Sequence, residues 1–261
     1  LLKQKFMKRH IPQFITLLNL LCGCIATVFA ALNKLEWAAF FVFLGIVFDF
    51  FDGFAARLLD AQSELGVQLD SLADMVTSGV VPGVVMFQLL AMSQTGGWNL
   101  DMGNVSADSA HHVISISLLP FFGFLITLAS AYRLAKFNID EDQVNTFIGL
   151  PTPANALLIL SLPLILLNQG NDYINGILLN PWFLIALTVL SSYLLNANIP
   201  LFALKFKNWS FKENAHRYIF LIVSLVLLLT LSYLAIPGIV LFYILSSVVY
   251  NIGAKDKSQG L

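Results

Sequence analysis

The chain has 261 residues, of which 58% are hydrophobic and only 11% charged, and its mean hydropathy is +0.80. A soluble domain of this length carries more charge and less apolar surface, so the composition excludes one and implies a polytopic membrane protein. The formal net charge is −1, and no nucleic-acid partner is expected.

A helix needs roughly 20 apolar residues to cross the hydrocarbon core of a bilayer. Taken in chain order, the runs at about 12–32, 36–59, 65–92, 112–137, 152–168, 179–197, 217–235 and 236–253 are candidates for such spans. The expected fold is therefore all-α: a polytopic bundle of about eight transmembrane helices forming one membrane domain over 1–261. The basic start leads directly into the first span without a small-residue cleavage pattern, so no removable signal peptide is expected. Cys22 and Cys24, two apart on that span, point to different sides and do not form a metal pair; filling helix contacts is the plainer role for them. The segment 93–111, with Gly96, Gly97, Asn99, Gly103 and Ser106, reads as a loop. Its Asn104-Val105-Ser106 is a glycosylation sequon only in a secretory pathway, and His111 and His112 read as solvated. The sequence shows no repeat or inverted symmetry that would favour a transporter built from paired halves.

Retained Lys and Arg mark the cytoplasmic side of a membrane protein. With eight spans, Lys3, Lys5, Lys8, Arg9, Arg57, Arg133, Lys136, Lys205, Lys207, Lys212, Arg217, Lys255 and Lys257 share one face with both termini, and Lys34 lies opposite. Both termini are thus expected in the cytoplasm, in an integral protein of the cell membrane. This count depends on splitting 217–253 at Ile236-Pro237-Gly238, without which the C-terminal lysines would move outside.

Four acids interrupt the apolar runs around the second and third spans, as Asp49-x-x-Asp52-Gly53-x-x-Ala56-Arg57 and, eight residues on, Gly66-x-x-x-Asp70-x-x-x-Asp74. On a helix Asp49, Gly53 and Arg57 form one stripe, with Asp52 and Ala56 on the next; Gly66, Asp70 and Asp74 repeat the device. Two antiparallel neighbours can then point all four carboxylates into one cleft, while Gly53, Ala56 and Gly66 leave its middle open. An unpaired Asp at the bilayer centre costs about 2.5–3.5 kcal/mol on insertion scales. Arg57 supplies one compensating charge, and hard divalent cations, Mg²⁺ or Mn²⁺ completed by phosphate oxygens, are the natural remainder. Two such ions would bridge a pyrophosphate.

These residues, 49 to 74, resemble the signature of the CDP-alcohol phosphotransferases, DxxDGxxAR followed by GxxxDxxxD, at all eight fixed positions. The resemblance implies that Asp49, Asp52 and Asp70 hold metal, that Asp74 is both ligand and catalytic base, and that Gly53, Ala56, Arg57 and Gly66 receive the cytidine nucleotide. It also implies a homodimer. Outside the motif, Ile11-Pro12-Gln13-Phe14-Ile15-Thr16-Leu17-Leu18-Asn19, Ala131-Tyr132-Arg133-Leu134-Ala135-Lys136-Phe137-Asn138 and Phe147 to Asn155 resemble the bacterial-type phosphatidylserine synthase branch of that family, with Gln13 standing where Asn is usual. That branch implies CDP-diacylglycerol and L-serine as substrates, phosphatidylserine and CMP as products.

Arg133 and Lys136, with Asn138 beside them, are candidates for the serine carboxylate or a lipid phosphate; anchoring to head groups would use the same location. Thr16 and Asn19, one turn apart, suit interhelical hydrogen bonds better than substrate contact. His216 belongs to a basic stretch suited to anionic lipid. Two alternatives stay open: another acceptor, such as glycerol 3-phosphate or an inositol, and a cation or proton transporter, which would not need the Gly and Ala spacing or Arg57.

Overall fold

The computed structural model describes residues 2–95, 118–139, 147–202 and 211–259, and its side chains from His10 onward. Within those ranges the side chains of residues 2–9, 95, 147, 211–213 and 252–259 lie outside the description, as do residues 203–210 and the loop with the sequon and His111–His112.

The first helix, α1 (Leu2–Ala31), ends where Asn33 turns left-handed at φ 58°, with Lys34 N donating to Phe29 O at 2.8 Å. The three-residue turn folds α2 (Leu35–Leu58) back along α1. A second short turn leads to Ser63, whose extended backbone and hydroxyl cap α3 (Glu64–Asp74) by accepting from Gly66 N at 3.1 Å. A π-helical segment, Met75–Val80, then joins α3 to α4 (Val81–Thr95), so the expected third span is one helical stretch with a widened turn in it.

Of the expected span 112–137, the described part is a 3-10 segment, Leu119–Phe124, running into α5 (Leu125–Ile139). Phe147–Ile148 forms strand β1, followed by α6 (Thr152–Asn168), a short α7 (Asp172–Leu178), α8 (Pro181–Asn196) and strand β2 (Pro200–Leu201). Helix α7 is an addition to the sequence reading. Asn171 caps it and Asn180 caps α8, and the two meet at a 55° bend. The strands pair antiparallel, Phe147 with Leu201 and Ile148 with Pro200. Gly149 leaves this ladder at φ +74°, where an added Cβ would lie 2.5 Å from Leu195 O, so the chain entering α6 is tied to the chain leaving α8.

Helices α9 (Phe211–Leu231) and α10 (Ala235–Gln259) complete the described chain. The apolar stretch Asn214–Asn251 has 38 residues, about 57 Å as one straight helix, nearly twice a hydrocarbon core. It folds back instead: His216 stacks on Tyr250 at 4.1 Å, and Phe220 meets Tyr243 at 5.5 Å and Phe242 at 5.8 Å. The turn lies at 231–234 rather than at the expected 236–238. Ser232 adopts φ 49°, and Gln169, the residue that follows α6, secures the corner by donating to Leu231 O and accepting from Leu234 N, both at 3.0 Å. Pro237 falls in the first turn of α10, where its missing N–H removes no helical bond.

By length and composition, His10–Ala31, Leu35–Leu58, Glu64–Gln94 and Asn214–Asn251 are the described stretches able to cross a membrane, with α7–α8 a fifth if taken as one bent span. Ala26, Val42, Val85, Leu89, Ile159 and Leu184, from α1, α2, α4, α6 and α8, have no exposed surface and form the core. Large apolar residues such as Phe14, Phe43 and Phe50 face outward, as lipid contact permits. Close helix approach rests on small residues: a Cβ at Gly123 would sit 2.6 Å from Phe87 N and 3.0 Å from Met86 C, both backbone atoms of α4. Gly123→Ala is therefore expected to destabilise the protein by about 1–3 kcal/mol in detergent denaturation. Gly176→Ala in α7, where a Cβ meets nothing within 4 Å, should be neutral or stabilising by up to about 1 kcal/mol.

Candidate active site

The five residues between α2 and α3 set these helices antiparallel, and the helical spacing does the rest. Asp49 and Asp52 come from the last turns of α2, Asp70 and Asp74 from α3. One carboxylate oxygen from each of Asp49, Asp52 and Asp70 lies within 4.8 Å of the other two. Asp74 stands beside this trio rather than inside it. Oδ1 of Asp70 is buried with no hydrogen-bond partner among the described residues, which is costly for a carboxylate unless a cation fills the gap. An all-oxygen set of this kind suits a hard divalent ion.

Helix α1 supports the acids from one side. Thr16, 4% exposed, donates through Oγ1 to Asp52 Oδ2 at 2.5 Å, and Asn19, fully buried, donates through Nδ2 to Asp74 Oδ1 at 3.3 Å. Thr77 in turn donates through Oγ1 to Asn19 Oδ1 at 2.8 Å, which fixes the amide with its N–H groups toward Asp74. The π-helical turn immediately after Asp74 carries Thr77 to this position. Thr16 and Asn19 thus act as interhelical hydrogen-bond donors.

Helix α5 supports the acids from the other side, and here the charge balance differs from the sequence reading. Arg57 is exposed at the end of α2, with Nη2 4.0 Å from where a Cβ on Gly53 would stand. Arg133, 9% exposed, lies near enough to Asp74 for their charges to interact. The reason is geometric: Arg57 continues the α2 stripe past the acids toward the end of the bundle, whereas α5 runs antiparallel to α3 and lays Arg133 against it. Nε of Arg133 has no hydrogen-bond partner among the described residues. Asn138, one turn further on, accepts from Ser71 Oγ at 3.0 Å and ties the ends of α5 and α3 together. Arg133 and Lys136 line a small cleft with Phe137, Ile148, Leu195 and Asn196.

A separate cavity of about 130 Å³ opens on the other flank of the acids, lined by Gln13, Thr16, Asp52, Gly53, Ala56, Gly66 and Asp70 among others. The three small motif residues all face it, as the spacing implied. Ser71 and Thr77 escaped the sequence reading, since a lone hydroxyl in an apolar helix carries no motif.

The family model described as CDP-alcohol phosphatidyltransferase matches residues 9–194. A protein of Bacillus subtilis named CDP-diacylglycerol–serine O-phosphatidyltransferase is 35% identical over 148 residues, 55% of this chain and 70% of that one. Proteins of the same name from Mycobacterium bovis, 27% identical over 198 residues, and Methanocaldococcus jannaschii, 32% over 149, align with 73% and 57% of this chain. The chain matches 60% and 58% of the length of those two relatives.

Because a hydrogen bond to a buried charged group contributes about 1.5–3 kcal/mol, Thr16→Val should lower stability by that amount in detergent denaturation. Thr230→Val, at an exposed hydroxyl bonded only to its own helix, should change it by less than about 0.5 kcal/mol.

Proposed function

The chain belongs to the CDP-alcohol phosphatidyltransferase family, and on that premise we propose that it transfers the phosphatidyl group of CDP-diacylglycerol to L-serine, forming phosphatidylserine and CMP. The observation that carries this reading is the convergence of Asp49, Asp52 and Asp70 within 4.8 Å beside a cavity lined by Gly53, Ala56 and Gly66. The names of the relatives supply the donor and acceptor.

In this mechanism Asp49, Asp52, Asp70 and Asp74 hold divalent cations, Mg²⁺ or Mn²⁺, of which two serve one site. When bound, these ions offset negative charge on the pyrophosphate. Gly53, Ala56 and Gly66 admit the cytidine nucleotide because they leave the cavity without side chains, and Arg57 at its rim pairs with phosphate. Asp74 uses one oxygen to accept from Asn19 and keeps the other for the serine hydroxyl proton. The serine oxygen attacks the phosphorus that carries the diacylglycerol, a new P–O bond forms, and the bond to the departing CMP breaks. Arg133 receives the serine carboxylate, with Lys136 and Asn138 at the same helix end. Burial of Arg133 in a narrow cleft orients a small acceptor and limits the access of water, the competing nucleophile.

The reading extends to orientation. Arg57, Arg133, Lys136 and Arg217 all fall at the end of the bundle that holds the acids, and this clustering of positive charge supports a site and termini that face the cytoplasm across the cell membrane. Acyl chains then stay among the lipid-facing helices while nucleotide and serine enter from water. The active unit is a homodimer.

CMP release from CDP-diacylglycerol in mixed micelles, with serine, glycerol 3-phosphate and inositol offered separately, tests the proposal. Release is expected with serine alone and only with divalent metal; release with another alcohol would overturn the acceptor, and none with any would overturn the reaction. Asp74→Asn should reduce turnover by about 10³-fold or more while CDP-diacylglycerol still binds; near-normal turnover would remove Asp74 as the base.

A further inference from the structure

We propose that Asn196, the last residue of α8, binds the ammonium group of the acceptor, so that Asn196 and Arg133 together read a zwitterionic amino acid. The inference rests on the reading of serine as acceptor given above. It adds a binding residue just beyond 9–194, the part of the chain that the family model matches.

Asn196 and Arg133 line the same small cleft. The carboxamide of Asn196 has one possible orientation there. Its Nδ2 donates across the helix interface to Ala129 O of α5 at 3.0 Å, and along its own helix to Ser192 O at 3.4 Å. Both amide protons are thereby committed, and turning the group over would set its oxygen against two carbonyl oxygens. Oδ1 is left as a fixed acceptor, buried and without a hydrogen-bond partner among the described residues.

A buried amide oxygen without a partner is costly. The same cleft holds the opposite deficit, since Nε of Arg133 is a buried donor that is also unpartnered among the described residues. The two atoms do not satisfy each other. A ligand that satisfies both must accept at one end and donate at the other, as an amino acid does with its carboxylate and ammonium on one carbon. The third substituent, the hydroxymethyl of serine, is then left for the acids. Arg133 and Lys136 both favour the carboxylate and oppose an ammonium, so the ammonium needs an acceptor of its own, and Asn196 Oδ1 is that acceptor. An acceptor molecule without the ammonium leaves Oδ1 unpaired, and a site built around a polar contact discriminates against the analogue that lacks it.

The test compares serine with 3-hydroxypropionate, which keeps the hydroxyl and carboxylate and lacks the ammonium. CMP release from CDP-diacylglycerol is measured with each, in the full-length protein and in two variants, Asn196→Ala and Asn196→Leu, the second of which keeps the side-chain volume. The unsubstituted protein is expected to prefer serine roughly 10- to 100-fold in kcat/KM, the scale of one hydrogen bond to a charged group. Either variant should bring the two acceptors within about threefold of each other, by lowering kcat/KM for serine alone. This ratio does not depend on the fraction of enzyme that is folded, so a variant that is only partly folded still reports it. A preference below about threefold in the unsubstituted protein would overturn the proposal while leaving serine as an acceptor. So would a ratio that the variants leave unchanged, the result expected if a water bridged the two side chains and Asn196 only tied α8 to α5. No CMP release with serine would overturn the reading of the acceptor and this inference with it.

Discussion

Four carboxylates gathered within an apolar helical bundle are the constraint on which the rest of this structure depends. At about 2.5–3.5 kcal/mol for each unpaired acid at membrane depth, the group would cost as much as the whole stability of a typical domain if nothing offset it. The chain answers with directed polar groups rather than with a bulk of charge. Thr16 and Asn19 reach the acids from α1, Thr77 orients Asn19, and the charge of Arg133 on α5 acts on Asp74. Asp70 still keeps a buried oxygen without a partner among the described residues. The divalent cations proposed above are the remaining compensation.

The acids divide the site into two unlike halves. Toward α1 and the α2–α3 turn, the small residues Gly53, Ala56 and Gly66 leave space; toward α5 and the β1–β2 strand pair, Arg133 narrows the space and supplies charge. A large, flexible nucleotide suits the first half. A small acceptor with its own negative group suits the second, where the buried guanidinium gives direction as well as attraction. The strand pair β1–β2 and the left-handed Gly149 matter here because they tie α6 and α8 together next to Arg133.

The spans and the acidic motif were legible in the sequence because each has a period: long apolar runs for the helices, and steps of three and four for Asp49, Asp52, Asp70 and Asp74. What lacked a period was not legible. The π-helical turn at Met75–Val80 follows from the packing of Thr77 on Asn19, a contact 58 residues apart in the chain. The hairpin turns at Ser232 rather than at Pro237 because proline is harmless in a first helical turn, and the glutamine that follows α6 holds the corner. Likewise, proximity in the motif favoured Arg57 as the counter-charge, while the antiparallel course of α5 brought in Arg133. Tertiary partners, unlike periodicity, are not written locally.

The central claim is that Asp49, Asp52, Asp70 and Asp74 form a divalent-metal site that the fold builds before substrate arrives. Its most direct test is Mn²⁺ binding to the purified protein without nucleotide, measured by electron paramagnetic resonance, in the unsubstituted chain and in Asp70→Asn. The account predicts saturable binding that Mg²⁺ displaces and that D70N weakens at least about tenfold with helix content unchanged. Equal Mn²⁺ binding by the two proteins would contradict it.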